Sequence, residues 1–200
     1  KIKIMSVLVY TENWDGKFKK LSYELVSYAK QIADQSGSTV TALSIGNVDE
    51  GELKKLGNYG ADKVLNANDD RLNVLINKAY ASAEAAEKES AQVIIFANNF
   101  TGKALSPRVS VKLKAGIASG VNAVPASYDP FTVSKKVFTG KAFANVVINS
   151  EKKILTLFQN SVDILETGNE ASVEAFSPAL NDADFATKVL DVNKFTGMLL

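Results

Sequence analysis

Two hydrophobic periods alternate along the first 115 residues of this chain. Unbroken runs of apolar and β-branched residues mark buried strands. Between them, apolar positions spaced three and four apart mark helices with one apolar stripe. The first run is Ser6–Tyr10 (SVLVY), reaching back to Ile2 if the opening Lys1-Ile2-Lys3-Ile4 is part of it. A polar loop with one Trp, Thr11–Gly16, follows. Ser22–Gln35 reads as a helix whose Leu21, Leu25, Tyr28, Ala29 and Ile32 share a face, with Gly37 placed to end it. Thr39–Ile45 is the second strand. Glu50–Leu56 is a short helix ended by Gly57-Asn58-Tyr59-Gly60, and Ala61–Asn66 is a third strand. Leu72–Glu89 is a long helix and Gln92–Ala97 a fourth strand. The turn Asn98–Gly102 then leads to a helix with Leu105, Val109 and Leu113 on one face. Pro107 places the start of that helix near Ser106, because proline is costly beyond a first turn.

This βαβαβαβα order predicts parallel strands with helices on both faces. After Gly116 the pattern changes. Ala118–Ala126 is apolar without a helical period. Thr132–Thr139, Ala142–Asn149 and Lys153–Phe158 are strand-like and joined by the turn signals Gly140-Lys141 and Asn149-Ser150-Glu151. Strands joined by short turns pair antiparallel, so an antiparallel extension is expected at one edge of the sheet. Lys135-Lys136 reads there as protection against edge pairing. Residues 1–160 thus form an α/β domain with a mostly parallel open sheet. Residues 161–200 read as an extension or connector, with strand-like runs at Ser172–Phe176 and Phe185–Val192.

Composition narrows the chemistry. The 200 residues are 46% hydrophobic, enough for a substantial core, and no apolar run reaches the roughly 18 residues of a membrane span. With 23 basic and 22 acidic residues the net charge is +1, which gives no electrostatic case for nucleic acid. No signal-peptide pattern opens the chain. The start at Lys1 leaves open an appended remnant, a processed start or part of the first strand. The absence of Cys excludes disulfides and Cys-ligated zinc, and the absence of His removes the commonest general base and metal ligand. No metal set and no carboxylate pair in acid–base geometry can be assembled from spacing, and no catalytic residue is predicted.

In an open α/β sheet the crevice at the strands' C-terminal ends is where ligands collect, which singles out the turn Asn98–Gly102. Its helix N-terminus offers free N–H groups to an anion, with Asn98, Thr101, Gly102 and Arg108 as candidates. Thr101 also reads simply as an N-cap, Gly102 as a helix-start residue and Arg108 as an exposed helix residue. No phosphate-loop or G-x-G-x-x-G signature is present. The carboxylates of Glu12 and Asp15 in the first loop oppose a dinucleotide phosphate there. Trp14 is either a part-buried anchor or a partner contact.

Four stretches carry a family resemblance. They are Ser6–Tyr10 with Glu12; Tyr59-Gly60-Ala61-Asp62-Lys63-Val64; Thr101-Gly102-x-x-Leu105-x-Pro107-Arg108-Val109 with Lys112-Leu113; and Gly140-Lys141-Ala142 followed by Ile154-Leu155-Thr156. In order and spacing the chain resembles the N-terminal domain of the α subunit of electron-transfer flavoproteins, over residues 6 to about 160. The resemblance implies a fold related to adenine-nucleotide α-hydrolases and universal stress proteins. It implies a heterodimer with a β subunit. FAD would sit mainly on a second, C-terminal α-subunit domain marked by a Gly-Arg-Gly motif, and any AMP on the β subunit. No Gly-Arg-Gly occurs here, so the chain is expected to be a domain-length fragment that binds no FAD tightly by itself.

The implied whole protein carries electrons on FAD from acyl-CoA or other flavin dehydrogenases to a respiratory-chain acceptor through a quinone reductase. It would do so without inserting in the membrane, in the bacterial cytoplasm or, in a eukaryote, the mitochondrial matrix. One position departs from the family. Phe158 stands where an Arg is frequent after the Val/Ile-x-Thr-Val/Ile strand. The rival reading is a stand-alone nucleotide-binding module of the universal-stress type. It is weakened because only Gly102 appears before Gly116 and Ser119-Gly120 has the reversed order.

Overall fold

In a computed structural model, which describes residues 6–187 and 189–191, the strands and helices run in the following order. β1 (Ser6–Thr11) leads to a two-residue hairpin, β2 (Asn13–Trp14) and β3 (Lys17–Phe18), and then α1 (Lys20–Ser36). β4 (Thr39–Ile45), α2 (Glu50–Lys54) and β5 (Lys63–Ala67) follow, then α3 (Leu75–Lys88), β6 (Val93–Ala97) and α4 (Phe100–Leu113). The second half is β7 (Gly116–Val121), β8 (Ser127–Tyr128), β9 (Phe131–Val137), β10 (Ala142–Val147), β11 (Lys153–Leu157) and β12 (Ser172–Ala175).

Among the described residues the main sheet runs β10-β9-β7-β11-β6-β1-β4-β5-β12, with β8 paired to β9. The central strands are parallel, as the alternation of strands and helices requires. Successive side chains of a strand point to opposite faces. Val7 and Val9 therefore pack with Leu25, Tyr28 and Ile32 of α1 on one side. Leu8, Ile94 and Phe96 pack on the other with Ala79 and Ala83 of α3 and Leu105 and Val109 of α4. Two cores sandwich one sheet, the α/β architecture expected. No helix among the described residues is long and apolar enough to cross a membrane.

Three expectations need correction. Lys153–Phe158 does not join the antiparallel extension. β11 inserts between β6 and β7, parallel to both, and all five of its residues are buried. The ribbon β9–β10 is an excursion after which the chain returns to the middle of the sheet. Second, Lys135 and Lys136 lie on β9, while β10 is the edge, so they do not guard it. Third, Phe185–Val192 holds no strand in its described part. A 3-10 turn, Asp182–Phe185, leads into irregular chain, and residues 188 and 192 lie outside the described residues, as does the proposed strand start at Ile2.

The segment after residue 160 packs onto the domain. β12 adds to the edge of β5 in parallel, Ser172 opposite Lys63. A Cβ built on Gly57 would lie 2.1 Å from the Ala171 nitrogen, so only a glycine lets the segment cross here. The Thr167 amide and hydroxyl donate to the Asn58 and Gly57 carbonyls at 2.7 and 2.9 Å.

Candidate functional site

α1 leaves β1 toward one face and α4 leaves β6 toward the other. The loops after these adjacent strands therefore diverge over a crevice at the topological switch point. A pocket of about 430 Å³ opens there, lined by Tyr10, Glu12, Trp14, Leu21, Asn99 and Gly102 among others. A larger basin of about 890 Å³ adjoins it over the ends of β1 and β4, where Gly46, Asp70, Arg71, Lys78 and Phe185 contribute.

The turn after β6 is built as a closed latch. α4 begins at Phe100, so its cap is Asn99, whose Oδ1 accepts the Gly102 amide at 2.8 Å. Thr101, expected as the cap, is instead the second helical residue. Its hydroxyl donates to Glu12 Oε1 at 2.7 Å, while Asn99 Nδ2 donates to Glu12 Oε2 at 2.9 Å. Glu12 thus supplies the negative charge that a helix N-terminus favours, from within the protein. Asn98 is committed elsewhere. Its amide donates to the Leu157 carbonyl at 2.7 Å, and its Oδ1 accepts from the Thr156 hydroxyl at 2.9 Å. Thr156 in turn accepts the Gly120 amide at 2.9 Å, so the ends of β6, β11 and β7 are tied together.

Gly102 lies so close to β6 that an added Cβ would fall 1.8 Å from the Ala97 carbonyl oxygen. The helix continues through Pro107 rather than starting after it. Pro107 is on the solvent face, where water can satisfy the carbonyl left without an N–H partner. Arg108 is exposed there too, and its Nη1 donates to the Ala104 carbonyl at 2.5 Å. Of the four candidates, Gly102 lines the crevice and Thr101 bonds its Glu12, whereas Asn98 ties the strand ends together and Arg108 turns back onto its own helix.

Glu12 is the residue that sequence reasoning left without a partner. Its position directly after β1, in a loop otherwise noted as unfavourable to phosphate, was the available signal. Two groups respond to it. Burial first, and then the Glu12 charge, push the Tyr10 phenol far above the usual tyrosine range, so Tyr10 stays neutral. Burial lowers the pKa of the half-buried Lys78 ammonium, and Glu12 opposes that shift. Arg71 is engaged by Asp69 (Nη2 to Oδ2, 2.7 Å) and sits 4.4 Å over the Phe185 ring. Trp14 is exposed beneath the Lys19 ammonium, 4.3 Å from its ring centre.

Two further carboxylates hold the frame around the crevice. Glu24 of α1 is buried and accepts the amides of Asn160, Ser161 and Val162 at 2.9, 2.7 and 3.3 Å, fixing the loop after β11. Glu52 of α2 accepts the Phe18 amide at 3.2 Å and pairs with Lys55 at 2.8 Å and Lys17 at 3.5 Å, holding the β2–β3 hairpin. Tyr23, stacked on Tyr59 with ring centres 4.2 Å apart, is pushed up to about 12 by burial and by Glu52. Burial alone raises the Glu52 pKa, but Lys55, the Phe18 amide and Lys17 outweigh it and hold the carboxyl below its ordinary value. A depressed folded-state pKa gives stability that is present above the unfolded value of about 4.3 and is lost as pH falls through the folded value. E52Q is therefore expected to lower the urea midpoint at neutral pH and to lose less further stability between about pH 5 and pH 3 than the parent. Equal acid losses in the two proteins would contradict this.

Phe158, at the position of family departure, is half exposed. Its ring lies against Gly120 and lines a groove with Asn122, Lys136 and Gly140.

Comparison with known proteins gives this geometry its context. The family described as electron transfer flavoprotein domain matches residues 7–181. "Protein FixB" of Clostridium saccharobutylicum is 26% identical over 194 residues, covering 94% of this chain and 58% of that protein. "Electron transfer flavoprotein subunit alpha" of Bacillus subtilis is 27% identical over 180 residues, 88% of this chain and 55% of that protein. "Acryloyl-CoA reductase electron transfer subunit beta" of Anaerotignum propionicum is 30% identical over 115 residues, 56% of this chain and 31% of its own length. The chain thus spans little more than half the length of the first two of these relatives.

Proposed function

The chain belongs to the electron transfer flavoprotein family, and from that premise we propose that it is the N-terminal scaffold and subunit-interface domain of an α subunit. In this reading it docks a β subunit, and FAD is held on a further domain toward which residues 161–200 lead. The assembled heterodimer then carries electrons from acyl-CoA or other flavin dehydrogenases to a respiratory-chain quinone reductase, in the cytoplasm of a bacterium. The flavin supplies the redox chemistry, and the domain supplies position.

The observation that carries this reading is the Glu12 latch. The crevice where an open α/β sheet would cradle a dinucleotide already holds a carboxylate at the N-terminus of α4, bonded to Asn99 and Thr101. The Gly102 amide is taken by the Asn99 cap. A pyrophosphate placed there would meet the Glu12 carboxylate and find the Gly102 amide already taken, so the residues present oppose FAD or the phosphates of ATP at this position. The names of the relatives, an α subunit and an electron transfer subunit, support a role within an assembly.

The test is a flavin titration of the purified chain, read by visible absorbance and FAD fluorescence. No saturable binding is expected. One FAD retained per chain through gel filtration would overturn the assignment of the flavin to another domain.

A further inference from the structure

We propose that the outer edge of β10 binds an extended, acidic strand of the partner subunit, with Phe143 and Val147 as its apolar anchors. The proposal rests on the subunit-interface reading and names the surface that does the docking.

Three observations point there. First, β10 ends the sheet, and no strand among the described residues covers its outer side. The Ile148 amide donates inward to the Phe131 carbonyl at 2.9 Å. In an antiparallel ladder the inward groups recur at every second residue. Ala142, Ala144 and Val146 therefore bond β9, and Phe143, Asn145 and Val147 turn their backbone N–H and C=O groups outward. These donors and acceptors are a template for another strand.

Second, the edge lacks the usual protection. Residues 142–149 (AFANVVIN) contain no charge and no proline. Phe143 is 65% exposed, Val147 49%, and Phe138 at the ribbon tip 80%. Phe143 lies opposite Lys136, whose side chain also lines the groove beside Phe158. An exposed apolar edge of this kind marks an interaction surface or an aggregation site.

Third, charge selects the occupant. Residues 131–150 carry Lys135, Lys136 and Lys141 and no acidic residue. None of the three lysines is in an ion pair among the described residues. A second copy joined edge to edge through this ribbon would bring no carboxylate to the three lysines. A different chain, with Asp or Glu flanking alternating apolar residues, satisfies both the backbone groups and the lysines.

The experiment co-expresses the protein, at its natural length, with the β-type subunit of the same organism and measures their association by analytical ultracentrifugation. Parent, F143K/V147K and N145P proteins are compared. Parent association weakened about 30-fold or more in F143K/V147K, with unchanged thermal unfolding of the free protein, is the expected result. N145P removes one outward amide and is expected to weaken association as well. Hydrogen exchange on the parent complex gives a readout independent of variant folding. The Phe143, Asn145 and Val147 amides are expected to gain protection on association.

Parent association that neither variant weakens, or complex formation without protection of those amides, overturns the proposal while leaving the subunit-interface reading intact. A parent that does not associate at all overturns that reading, and the proposal with it. Self-association of the protein alone through these same amides would make the occupant a second copy and overturn the acidic partner.

Discussion

Replacing Gly102 with alanine is expected to lower the stability of the domain by about 3 kcal/mol or more, or roughly 6–12 °C in Tm for a chain of this size. The added Cβ would fall 1.8 Å from the Ala97 carbonyl oxygen, and neither side can yield cheaply. Ala97 ends β6, a strand paired with β1 on one side and β11 on the other. The helix must therefore lift. Lifting it pulls Asn99 and Thr101 away from Glu12 and draws Leu105 and Val109 out of their core. G51A is the matched control. An added Cβ there meets nothing within 4 Å, and a Gly-to-Ala change inside a helix is expected to be neutral or to stabilise by up to about 1 kcal/mol. Calorimetric unfolding of the two variants checks the contrast. A G102A protein within about 1 kcal/mol of the parent would contradict the close approach of α4 to β6.

Removing the Glu12 carboxylate is expected to have the next largest effect. E12A deletes two hydrogen bonds to a charged group, each worth about 1.5–3 kcal/mol. Water reaching this part-buried turn returns some of that, and a net loss of about 2–3 kcal/mol is expected. E12Q keeps one acceptor oxygen and the side-chain shape, and is expected to lose about half as much. The two variants separate the bonds from the packing. Equal losses in E12A and E12Q would show that charge and not shape secures the latch. No loss in either would mean that α4 is held without it, and the argument that a carboxylate closes the crevice would fail.

The strands of the parallel core were legible because each is buried on both faces and reads as an unbroken apolar run. Thr39–Ile45 has the predicted limits. The helical stripes Leu25, Tyr28, Ile32 and Leu105, Val109, Leu113 are buried as their spacing requires. Lys153–Leu157 was misplaced because turn residues say where a chain reverses and not which strand it returns to. Asn149-Ser150-Glu151 closes an excursion that ends in mid-sheet. Pro107 misled for a local reason, since its cost is reduced on an exposed helix face. The latch was illegible because its parts are far apart in sequence. Glu12 is 87 residues from Asn99 and 89 from Thr101, and only the adjacency of β1 and β6 brings them together. Lys135-Lys136 looked like an edge guard because the pairing of β10 outside β9 is a tertiary fact that composition does not carry.

The interface role is tested most directly by co-expressing residues 1–200 with the β-type subunit of the same organism and determining the mass and visible spectrum of the purified species. The predicted result is a complex of one copy of each chain, with no FAD bound to this chain. A chain that stays monomeric beside the β subunit, or one that carries stoichiometric FAD by itself, would contradict it.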